Sequence, residues 1–147
     1  MGDEHRNGAF EPSSGRGRWR RLERWLIILV ALHSTAVGIG ALIATEWGVR
    51  FAGWERAVPL FFPRQVGVFH VVVASAYLIE YFRYGGVIVV LTTKAIAVAF
   101  LVAMMAVDST PWVVPLSAAG DGLMVLAIFA VHRMAAEDGA TRRAGAT

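Results

Sequence analysis

Residues 87–107 read VIVVLTTKAIAVAFLVAMMAV, twenty-one residues with one charge, Lys94. As a helix rising ~1.5 Å per residue the run covers about 31 Å, the thickness of a hydrocarbon core. It does not alternate apolar and polar residues, so it is not a barrel strand, which needs about ten alternating positions. Three more such runs flank it, at residues 25–45, 66–84 and 112–131. Together they predict an all-α fold, a four-helix transmembrane bundle spanning residues 19–133. Residues 1–18 and 134–147 are polar and lack an apolar period, and they are expected to be disordered cytoplasmic tails.

Composition agrees with lipid as the solvent. Of 147 residues, 56% are hydrophobic and 17% are charged, and mean hydropathy is +0.56. Soluble domains run nearer 45–50% and about 25%. The charges gather before residue 25 and in the last fifteen positions. A soluble enzyme and a nucleic-acid-binding domain are both excluded. No cysteine is present, which removes disulfides, thiolate metal sites and Cys nucleophiles. The first span has too long a polar leader and no Ala-x-Ala site after it, so it is read as a retained helix rather than a secretory signal.

Orientation follows from arginine. Arg6, Arg16, Arg18, Arg20, Arg21, Arg24, Arg83, Arg133, Arg142 and Arg143 fall on one side, against Arg50, Arg56 and Arg64 on the other. Ten against three predicts a multi-pass protein of the cell membrane with both termini cytoplasmic. Trp19, Arg20, Arg21 and Trp25 form an interfacial anchor before the first span, where guanidinium meets phosphate and indole meets the headgroup layer. In the long first outer loop, Trp47, Phe51, Trp54 and Val58 recur at helical spacing and predict a short interfacial helix carrying Trp47 and Trp54. The remaining turns are short, which predicts that spans two, three and four pack as antiparallel neighbours.

Five ionisable residues within the spans are candidates for chemistry: His33, His70, Glu80, Lys94 and Asp121. A charge at mid-bilayer costs about 2.5–3.5 kcal/mol on insertion scales, so such groups face inward and pair. Counting along the helices places His33, Lys94 and Asp121 at similar depths, roughly 10–13 Å from one end of their spans. Glu80 lies a turn or two nearer the cytoplasm, and His70 nearer the outside. A buried polar cluster is expected, with Lys94 paired to Asp121 or Glu80. Such a pair fixes helix register; the alternatives are a proton relay or polar ligand site, or Lys94 and Glu80 each snorkelling alone. The histidines differ in depth and no metal-ligand spacing is present, so no metal is expected. Ala36, Gly40 and Ala44, and likewise Ala95, Ala99 and Ala103, repeat four apart and suit close helix approach, within the chain or between copies.

The stretches Pro63-Arg64-Gln65-Val66-Gly67-Val68-Phe69-His70, Thr93-Lys94-Ala95 and Gly120-Asp121-Gly122, set within four spans and a long first outer loop, resemble small bacterial DoxX-like membrane proteins over roughly residues 24–133. The resemblance implies a four-helix membrane fold. Some members of that group are linked to quinone or thiol redox chemistry, and the lack of cysteine sets the thiol route aside here. No phosphate loop, nucleophile elbow, zinc helix or dinucleotide fingerprint is present. The expectation is a non-enzymatic accessory subunit or scaffold without a cofactor. Its partners would be the lipid bilayer, further copies or other membrane subunits, and not nucleic acid. The alternative is a redox or proton-coupled membrane subunit acting on a lipid-soluble substrate such as a quinone.

Overall fold

The computed structural model describes residues 16–56 and 58–144. Five α-helices follow one another: α1 (Arg16–Ile43), α2 (Thr45–Phe51), α3 (Phe61–Ile79), α4 (Ile88–Val107) and α5 (Val113–Ala144). A π-helical turn, Glu80–Tyr84, extends α3. Among the described residues, four helices are long and apolar enough to cross a bilayer. Proline marks the starts of two of them. Pro63 and Pro115 sit in the first turns of α3 and α5, where the missing N–H has no partner to lose.

The surface is inside-out for a protein in water. Leu29, Leu32, Phe100, Leu123 and Leu126 lie exposed, while Glu23, Ser34 and Lys94 are buried. Large apolar side chains on the outside with polar groups within is the arrangement lipid selects. The four long helices alternate in direction, so that the start of α1, the end of α3, the start of α4 and the end of α5 share one arginine-rich end. The apolar core, formed by Ile27, Val30, Tyr77, Val87, Val90 and Ile128, lies toward that end.

Helix pairing departs from chain order. α1 packs along both α3 and α5, and α4 packs along α5, but α3 and α4 make little contact despite the short turn between them. The antiparallel neighbours expected from short turns thus hold for α4 and α5 and not for α3 and α4. The reason lies in what each helix finds elsewhere. Gly38 and Gly67 bring the backbones of α1 and α3 together so closely that a Cβ on either would stand 2.7 Å from the other's carbonyl oxygen. Meanwhile α4 is tied to α5 by Lys94 and Asp121.

The ends also differ from expectation. α5 runs on to Ala144, so residues 134–144 are helical and not a structureless tail, and α1 begins at Arg16. At about 42 and 48 Å both helices outrun a 30 Å hydrocarbon layer. The expected tails at residues 1–15 and 145–147 lie outside the described residues. The loop helix α2 stops at Phe51, ahead of a turn at Ala52 and Gly53; Trp54 lies beyond it. The aromatic rim is nevertheless assembled. Trp47 stacks on Phe51 at 5.1 Å between centroids, Trp112 meets Phe51 edge-on at 5.4 Å, and its indole N–H donates to the Phe51 carbonyl at 3.1 Å.

Candidate functional site

Lys94 is delivered by the inward stripe of α4, which runs through Val90, Lys94 and Ala97. Asp121 comes from the stripe of α5 through Val114, Ala118, Asp121 and Ile128. These offsets of three and four keep one helical face inward. The Lys94 Nζ donates to Asp121 Oδ1 at 2.5 Å, with the two side chains 8% and 15% exposed. So short a charge-assisted bond in so dry a place is the pair anticipated between Lys94 and Asp121.

A cleft of about 160 Å³ opens beside the pair, lined by Ser34 of α1, His70, Phe69 and Tyr77 of α3, Thr93 of α4, and Asp121 of α5 among others. It lies where α3 and α4 fail to close on one another. The His70 Nδ1–H donates to the Val66 carbonyl at 2.9 Å, which leaves Nε2 as an acceptor. The cleft therefore offers donors at Lys94, Thr93 and Ser34, acceptors at Asp121 and His70, and apolar walls at Phe69 and Val73. A larger depression of about 490 Å³ follows Phe61, Arg64, Gln65, Val68 and Phe69, all from α3, and brings no second helix to a shared site.

Two expected members of the polar cluster stand apart. Glu80 serves as a cap: its Oε1 accepts from the Ile88 N–H at 3.0 Å and its Oε2 from the Val89 N–H at 2.8 Å. Both amides belong to the first turn of α4, where no carbonyl of the helix is available. His33 is exposed on the outer face of α1, away from the cleft. Of the anchor residues, Arg20, Arg21, Trp25, Trp47 and Trp54 are exposed, and Trp19 is half-buried. Among the described residues no three His, Asp or Glu side chains are grouped to hold a metal ion.

A second pair, with one member buried, was not singled out by the sequence. Glu23 of α1 is 2% exposed and its Oε1 accepts from His132 Nδ1 of α5 at 2.7 Å. The signal is present in hindsight. Extending the buried stripe of α1 back from Ser34, Val30 and Ile27 lands on Glu23. Extending that of α5 forward from Asp121 and Ile128 lands on His132. Both lie just outside the apolar spans, Glu23 ahead of residue 25 and His132 after residue 131. No family model, no curated protein and no solved structure matches this chain.

Proposed function

We propose that this small membrane protein is a non-enzymatic accessory subunit or self-associating scaffold of the cell membrane, with both termini cytoplasmic. The observation that carries this reading is the direction of its small-residue faces. Ala36, Gly40 and Ala44 on α1, and Ala95, Ala99 and Ala103 on α4, are all exposed. A Cβ on Gly40 would meet nothing within 4 Å. Glycine inside a helix costs about 1 kcal/mol relative to alanine, and here the bundle itself gains no close approach in return. Small faces turned to lipid suit the backbone of another helix. The Lys94–Asp121 bond supports the same reading, since each charge satisfies the other and holds α4 to α5. Membership of the DoxX-like group belongs to the proposal and rests on architecture alone.

The cysteine-free sequence makes the test direct. Gly40→Cys and Ala99→Cys, each as the single thiol, should form oxidative cross-links in native membranes, to a second copy or to another subunit identified by mass spectrometry. Absence of any cross-link from either position sinks the proposal. The cleft favours a second reading, a site for the polar head of a lipid-soluble molecule such as a quinone. That reading expects a short-chain quinone to raise the unfolding temperature of the chain in detergent, and expects Lys94→Met with Asp121→Leu to abolish the shift.

A further inference from the structure

One buried carboxylate takes no part in the cleft. Glu23 lies where α1 joins the bundle from the arginine-rich end. Its Oε1 is bonded to His132, but its Oε2 is closed off from solvent and has no hydrogen-bond partner among the described residues. Leaving a buried oxygen unpaired costs about 1–3 kcal/mol, more for a charged group. Glu80, by contrast, spends both oxygens on the first turn of α4.

The two residues stand in series between water and the interior. The His132 side chain is 40% exposed, while Glu23 is shut in behind it. At the same end stands Tyr81, half-buried near Glu23, Arg20 and Arg24. One turn further along α3 is Tyr77, buried beside Thr93 and Asp121. The remaining neighbours in that volume, Ile27, Val30, Val87, Val90 and Ile128, are apolar.

We propose that His132 and Glu23 form a proton relay from the arginine-rich surface to the buried Glu23 carboxyl, which gains and loses its proton through His132. His132 accepts a proton from hydronium at Nε2 and passes the one on Nδ1 to Glu23 Oε1, which returns the ring to its neutral form. One O–H bond of the hydronium and the Nδ1–H bond break; one N–H bond at Nε2 and one O–H bond on the carboxyl form, and water is left behind. Turning about its terminal torsion carries that proton to the unpartnered side that Oε2 now occupies. His132 of α5 bonds to Glu23, Tyr81 from the end of α3 stands near it, and α4 presents Val87 and Val90.

The relay can be watched by infrared spectroscopy of the full chain reconstituted in bilayers, during exchange of water for heavy water. The expected result is a carboxylic-acid C=O band that Glu23→Gln removes and whose deuterium shift is slowed at least about tenfold by His132→Asn. Asparagine keeps a donor near Nδ1 and so preserves the helix contact, but it cannot pass a proton. His132→Gln is the second variant should the first fail to fold. No acid band sensitive to Glu23→Gln at any pH at which the protein is folded would overturn the proposal. So would exchange at the wild-type rate in a folded His132 variant.

Discussion

Replacing Lys94 by methionine tests the central contact. The substitution keeps the length of the stem and removes the ammonium, leaving the Asp121 carboxylate 15% exposed with its 2.5 Å partner gone. Orphaning one member of a buried pair costs about 3–5 kcal/mol. Asp121→Leu should cost a similar amount, because it strands the ammonium. If the two losses were independent, the double variant would lose about 6–10 kcal/mol on the same scale. The structure instead predicts that Lys94→Met with Asp121→Leu loses about 1 kcal/mol or less, since apolar side chains of similar volume replace the pair and no charge is left buried. The assay is reversible unfolding in mixed micelles of mild detergent and dodecyl sulfate, followed by far-ultraviolet circular dichroism. An unchanged midpoint for Lys94→Met would mean that its ammonium reaches the headgroups by itself. Additive losses in the double variant would mean that the two residues act separately. Either result refutes the clamp.

Four further outcomes follow from the packing. Gly38→Ala and Gly67→Ala should each destabilise the bundle by about 1–3 kcal/mol in the same unfolding assay, because the new Cβ meets backbone 2.7 Å away and α1 must move off α3. Gly40→Ala should leave the isolated chain unchanged or up to about 1 kcal/mol more stable; a loss there would show that α1 is rotated from the face described. Glu80→Ala should cost about 1 kcal/mol and selectively strip hydrogen-exchange protection from the Ile88 and Val89 amides, with Glu80→Gln retaining part of it. His33→Leu, made on an exposed side chain of α1, should leave the unfolding midpoint of the isolated chain within about 0.5 kcal/mol of wild type.

The sequence by itself determined the solvent and the number of spans. Those are properties of local composition: about twenty apolar residues cross a bilayer whatever they pack against. It also brought Lys94 and Asp121 to one depth, because rise per residue converts position into height. Which face of each helix turns inward was decided only by the tertiary structure. In lipid the outside of the bundle is as apolar as its core, so hydropathy has no strong side on α3, α4 or α5. His33 and His70 therefore read alike in sequence, although one faces out and the other lines the cleft. The pairing of helices was equally hidden. Gly38 and Gly67 draw α3 to α1, Lys94 and Asp121 hold α4 to α5, and the cleft is the gap these two attachments leave. Such contacts join residues 27 to 29 positions apart, and Glu23 to His132 across 109. A single sequence records the depth of each partner but not its azimuth, and azimuth is what closes a bond.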